Sequence, residues 1–158
     1  MFTISDILDI AVQIEENGEA YYRRAIRSTT DPKLVEMFAW LAEQEAAHAR
    51  WFADMRGRID TVVEDPQVAG IGRALLRDAV SEQGFALAEA QAQDLARVRS
   101  LIELSIAFEE DTAAFYELLR SFVTEDEDRA HLDEIIDQER SHVEQLRSVL
   151  ADESVKMS

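Results

Sequence analysis

EQEAAHARWF (43–52) and DQERSHVEQL (137–146) decide the fold of this chain, because they are two copies of one device. Each carries Gln-Glu-x-x-His: Gln44, Glu45 and His48 in the first, Gln138, Glu139 and His142 in the second. The chain has three histidines, and two of them follow a glutamate by three residues. Residues three apart on a helix lie on one face, so each copy sets a carboxylate beside an imidazole. One such pair is a weak signal on a chain with 33 acidic residues. Two pairs inside a larger repeat are a strong one.

That larger repeat exists. Sliding the chain by 94 positions puts DILDIAVQIEENGEAYY (6–22) over SLIELSIAFEEDTAAFY (100–116), with Glu15 on Glu109, Glu16 on Glu110 and Tyr22 on Tyr116. The same shift superposes both Gln-Glu-x-x-His segments without a gap. Each half reads as a helix pair. The pattern predicts an all-α four-helix bundle built from two duplicated pairs, at 5–57 and 98–151, joined by a long crossover at 58–97. Thr3-x-x-Asp6 signals the start of the first helix, which should run to about Ser28. Asp31-Pro32 supplies an N-cap and a first helical residue for the second. Thr124-x-x-Glu127 reads as a capping box for the fourth. In the crossover, Asp65-Pro66 can open a helix and Gly70, Gly72 and Gly84 can interrupt one, which predicts one or two helical pieces.

The first and third helices each carry two adjacent glutamates, and periodicity chooses between them. Seven residues either side of Glu15 stand Leu8 and Tyr22, and either side of Glu109 stand Ile102 and Tyr116. The same step from Glu16 reaches Asp9 and Arg23, and from Glu110 it reaches Glu103 and Glu117. Residues seven apart share a face, so Glu15 and Glu109 belong to apolar lines and their neighbours to charged ones. Glu45 interrupts the line Phe38, Ala42, Ala49, Phe52, and Glu139 the line Leu132, Ile136, Val143, Leu146. Four glutamates and two histidines are thus expected to face one core. Buried carboxylates repel one another and lose their hydration, and no lysine or arginine stands on these lines. Two divalent cations would cancel the four negative charges, with the imidazoles completing the ligand sets.

Composition narrows the rest. A formal charge of −17 argues against nucleic acid and against anionic membrane surfaces, and favours cations. The absence of cysteine removes disulfides, thiolate metal sites and thiol nucleophiles. No apolar run approaches the ~20 residues of a membrane span. The opening Met-Phe-Thr-Ile-Ser-Asp lacks the regions of a signal peptide, and a cytoplasmic protein is expected.

At these residues the chain resembles the ferritin-like di-iron carboxylate superfamily, and within it the rubrerythrin family. The motifs that carry the resemblance are Glu15 with Tyr22, Glu109 with Tyr116, Glu45 with His48 and Glu139 with His142. It implies a single ferritin-like domain over 1–158 with two iron ions, or manganese, held by Glu15, Glu45, His48, Glu109, Glu139 and His142; zinc could fill the site in a recombinant sample. Glu15 and Glu109 would be terminal ligands and Glu45 and Glu139 bridges. Tyr22 and Tyr116 would hydrogen-bond ligand carboxylates from outside, where the plainer alternative is a core aromatic. Two departures stand out. Rubrerythrins proper usually carry a cysteine-held iron domain, which a chain without cysteine cannot form. They also place an extra glutamate three residues after the third-helix ligand, where Thr112 stands here. The ligand set is therefore symmetric, like that of bacterioferritin, although no methionine matches the haem ligand of that family and Met37 and Met55 read as core.

The resemblance implies Fe(II) oxidation by O2 or H2O2, as a ferroxidase or a peroxide scavenger supplied by an external electron donor. A non-catalytic iron-binding, sensing or delivery domain is the alternative, and a metal-free helical adaptor is the third. A homodimer is expected. His131, eleven residues before His142, is read as too distant to join the site, and Trp40 and Trp51 as packing or interface residues.

Overall fold

The computed structural model describes residues 3–58 and 98–152. Four helices account for nearly all of them: α1 (Ile4–Ala25), α2 (Pro32–Arg58), α3 (Val98–Arg120) and α4 (Asp126–Ala151). No strand occurs among the described residues, and the architecture is an all-α four-helix bundle. Helix α1 packs mainly on α2 and α3 on α4, so the two halves found by the repeat are two helix pairs. The remainder of the expected crossover, with its one or two helical pieces, lies outside the described residues.

The helix starts follow from local chemistry. Thr3 Oγ1 accepts the Asp6 N–H at 3.2 Å while Asp6 Oδ2 accepts the Thr3 N–H at 2.8 Å. This reciprocal box satisfies two otherwise free donors and stabilises α1 by about 1 kcal/mol. Helix α1 gives way to a 3-10 turn over Ile26–Ser28, the stretch that sequence assigned to its last turn. Asp31 Oδ1 accepts the Lys33 N–H at 2.9 Å, and Pro32 takes the first position of α2, where a missing N–H costs nothing.

The fourth helix corrects the sequence reading. It starts at Asp126 with Glu125 as N-cap, and no side chain caps it; the Thr124 capping box does not form. Val123 is buried, and anchoring it in the core leaves Thr124 one residue short of the cap position. Three acids in the first turn, Asp126, Glu127 and Asp128, instead meet the positive end of the helix dipole. Asp128 is also buried, and accepts a hydrogen bond from Arg58 Nη2 at 3.2 Å.

Aromatic rings pack both within a pair and between pairs. The Tyr22 ring stacks on Phe38 at 6.1 Å and Tyr116 leans on Phe52 at 4.8 Å, contacts worth about 0.5–1.5 kcal/mol each beyond the area they bury. Tyr21 donates its hydroxyl to the Leu101 carbonyl at 2.7 Å, joining α1 to α3. Met55 is buried and Met37 packs against the same core. Among the described residues, no helix is long and apolar enough to cross a membrane.

Candidate metal centre

Each helix delivers acid to the middle of the bundle. Glu15 comes from α1, Glu45 and His48 from α2, Glu109 from α3, and Glu139 and His142 from α4. All four carboxylates are at 0 % exposure, with His48 at 4 % and His142 at 0 %. Glu16 and Glu110, one residue on, are exposed, so the seven-residue test divided each adjacent pair correctly. Two groups of potential ligands result, Glu15, Glu45, His48 and Glu139, and Glu45, Glu109, Glu139 and His142, each with its donor atoms within 4.8 Å of one another. They share Glu45 and Glu139. The two imidazoles lie nearly parallel with ring centres 6.3 Å apart.

Nothing cationic except histidine reaches these acids among the described residues. His48 Nδ1 stands 2.8 Å from Glu139 and 3.4 Å from Glu15. His142 Nδ1 stands 3.4 Å from Glu109, 3.7 Å from Glu139 and 3.8 Å from Glu45. Burial pushes the Glu45 carboxyl well above the usual range, reinforced by the charges of Glu109, Glu139 and Glu15. Burial and then Glu139 do the same at Glu15, and raise Glu109 to about 8. Glu139 behaves differently. Burial works against its charge, yet Glu109 and the two imidazoles together hold it below the usual range. Burial likewise opposes the imidazolium forms, but Glu139 and Glu15 lift His48 to about 11, and Glu109 and Glu139 lift His142 to about 9. Without metal, protons must hold this cluster together.

Protons satisfy it only in part. His48 Nδ1 pairs with one oxygen of Glu139 at 2.8 Å, but Glu15 Oε2, both oxygens of Glu45 and Glu139 Oε2 are buried with no hydrogen-bond partner among the described residues. Buried polar atoms are nearly always paired, and a concentration of unpaired ones on a single inward surface calls for a missing positive partner. Carboxylate oxygen and imidazole nitrogen without thiolate suit iron, manganese or zinc. Two dications carry four positive charges for the four carboxylates. The residues therefore fit a pair of metal ions.

The surroundings hold the ligands in place. Tyr22 donates its hydroxyl to Glu109 Oε1 at 2.7 Å, and Tyr116 donates to Glu15 Oε1 at 2.5 Å. Burial and the neighbouring carboxylates keep both phenols protonated far above their ordinary pKa, so both remain donors. His131 is exposed and stacks on Trp51 at 4.5 Å, away from the site.

Three features had no separate signal in the sequence. Gly18 lies inside α1, and a Cβ there would stand 3.0 Å from the Phe108 ring and 3.1 Å from Glu45 Oε2; the missing side chain leaves room for that carboxylate. Gln138 Oε1 meets His48 Nε2 at 2.7 Å. Trp40, 42 % exposed, sets its ring at 83° to His142 with centres 5.2 Å apart. In the repeat Gly18 falls on Thr112 and Gln138 on Gln44, so neither position stood apart from its motif.

Comparison with known proteins agrees with this fold. The family model described as Rubrerythrin matches residues 6–150. Among solved structures, the chain is similar to one from Thermotoga maritima assigned to the ferritin-like diiron-carboxylate proteins. The two are 24% identical with a TM-score of 0.68, and the match covers 97% of this chain and 97% of that one, a likeness of fold. Comparison with curated proteins returned no match.

Proposed function

Since the chain belongs to the rubrerythrin family, we propose that it binds two iron ions among its four helices and oxidises Fe(II) with O2 or H2O2. One observation carries the proposal: four fully buried carboxylates face each other with four of their eight oxygens unpaired among the described residues. Glu45 and Glu139 belong to both ligand groups and would be held in common by the two ions. Glu15 and Glu109 belong to one each and would be terminal, with His48 and His142 completing either end. When bound, the ferrous pair supplies two electrons to the oxidant.

The protein's own part is to hold, orient and exclude. Tyr22 and Tyr116 occupy one oxygen of each terminal carboxylate, leaving the other for an ion and fixing the ring of ligands from outside. Phe38 and Phe52 are buried against Tyr22 and Tyr116, apolar surroundings that would keep water from competing for the cations. Thr112, buried at 0 %, stands where a switching glutamate would be needed for the peroxidase cycle of rubrerythrins proper. This supports iron oxidation over repeated peroxide turnover. Repeated turnover also requires an external electron donor, since the chain has no cysteine to hold a relay iron.

Anaerobic loading followed by O2 tests the proposal. Metal analysis should find two Fe(II) per chain, and oxygen should then generate ferric absorbance faster than Fe(II) oxidises in buffer. Glu45→Ala and Glu139→Ala should fall to the buffer rate. Oxidation by both variants at the parental rate would sink the assignment, and tight binding without faster oxidation would favour an iron-binding or delivery role.

A further inference from the structure

The six candidate ligands and both tyrosines obey the 94-residue repeat, so two equivalent metal positions would be the simplest outcome. The structure departs from that symmetry immediately behind the ligands. His48 Nε2 meets Gln138 Oε1 at 2.7 Å. Gln44, the repeat mate of Gln138, makes no matching bond: His142 Nε2 is buried without a hydrogen-bond partner among the described residues. An aromatic ring, Trp40, lies against that imidazole instead, and its repeat mate is Glu134. The inward nitrogens differ as well. The nearest carboxylate oxygen is 2.8 Å from His48 Nδ1 but 3.4 Å from His142 Nδ1.

We propose that Gln138 is a positioning residue for His48, and that the position formed by Glu15, Glu45, His48 and Glu139 fills with metal before, and more tightly than, the one completed by His142. The inference rests on the two-metal reading above. An amide oxygen can only accept, so it fixes the proton of a neutral His48 on Nε2 and turns the Nδ1 lone pair toward the carboxylates. That is the form a metal ion requires, and the ring need not move to bind it. His142 in the same form leaves its Nε2–H buried with no acceptor among the described residues, a state that disfavours binding. Removing an outer partner of a ligand histidine typically weakens metal binding about 10–100-fold, and a difference of that order is expected between the two positions.

Zn(II) titration of the whole chain with 15N-labelled imidazoles tests this, because zinc is redox-inert and leaves the signals sharp. His48 should shift over the first equivalent and His142 over the second, while His131 serves as an unmoved reference. Calorimetry should resolve two steps with dissociation constants about 10–100-fold apart. Gln138→Leu should merge the two steps by weakening the first, whereas Gln138→Glu, which keeps an acceptor, should preserve their order. Gln138 is exposed, so neither change should harm the fold, and circular dichroism checks this. Simultaneous shifts in the parent, His142 shifting first, or an order that survives Gln138→Leu would overturn the inference and leave the two-metal reading intact. Neither histidine shifting, with no heat of binding, would overturn both.

Discussion

Replacing Glu45 by leucine should make the metal-free protein more stable while abolishing its response to metal. The side chain is wholly inaccessible, and both of its oxygens lack hydrogen-bond partners among the described residues. Each such buried polar atom costs about 1–3 kcal/mol. Leucine removes both and also ends the mutual repulsion with Glu109, Glu139 and Glu15 that helps to push the carboxyl upward. Against this stands its extra bulk beside Gly18 and Phe108, where overpacking costs about 1–3 kcal/mol. The net gain should be about 2 kcal/mol, within the range found when apolar residues replace buried ionic groups. For a chain of this size that raises the melting temperature by roughly 4–8 °C. Mn(II) at a hundredfold excess over its dissociation constant should add about 2.7 kcal/mol to the parent and almost nothing to the variant. The order of stability therefore inverts: the variant melts above the parent after exhaustive chelation, and below it with Mn(II). Calorimetric melts of both proteins, with and without the ion, measure all four values. A chelated variant that melts below the parent would refute the reasoning, because the glutamate would then stabilise the fold without any cation.

Metal-free stability should fall as pH rises from 5 to 9. Glu109, lifted from 4.5 to about 8, contributes stability that is full below 4.5 and lost as pH climbs through 8. His142, lifted from 6.5 to about 9, adds a contribution present below 6.5 and lost on the way to 9; the depressed Glu139 acts with opposite sign, but only below 4.5. Melting temperatures of chelated protein at pH 5, 7 and 9 check this, and a rising profile contradicts it. Tyr116→Phe, which deletes the 2.5 Å bond to Glu15, should weaken Zn(II) binding about 10–100-fold, and Tyr22→Phe should do so on the Glu109 side. Calorimetry with unchanged affinity in both would reduce the tyrosines to packing. Gly18→Ala gains up to about 1 kcal/mol of helix propensity but forces a Cβ against Phe108 at 3.0 Å and Glu45 at 3.1 Å, an overpacking of about 1–3 kcal/mol. A melting temperature lower by roughly 2–4 °C is expected, and an increase would mean that the Phe108 ring yields freely.

Most of the bundle was legible because duplication and amphipathic spacing are properties of sequence. Glu15 could be separated from Glu16 by asking what stands seven residues away, and burial divides them in the same way. Thr3 and Asp31 were readable as caps because their partners lie within three residues. Thr124 failed because a long-range demand, the burial of Val123, displaced a local preference. Gln44 and Gln138 mark the deeper limit. They are the same residue in the same motif at the same offset, and only the packing of α2 against α4 determines which one reaches an imidazole.

Each tyrosine donates across the duplication rather than within it, Tyr22 to Glu109 and Tyr116 to Glu15. A hairpin alone would carry a phenol with nothing to grip and an acid with nothing to steady it. Two identical hairpins associating about a dyad would satisfy both bonds, and this polypeptide carries the two repeats in a single chain. A single chain lifts a restriction that binds identical subunits, where any change must appear twice. A tryptophan at position 40 beside one imidazole, with a glutamate at its counterpart 134, is a difference that only the single chain permits.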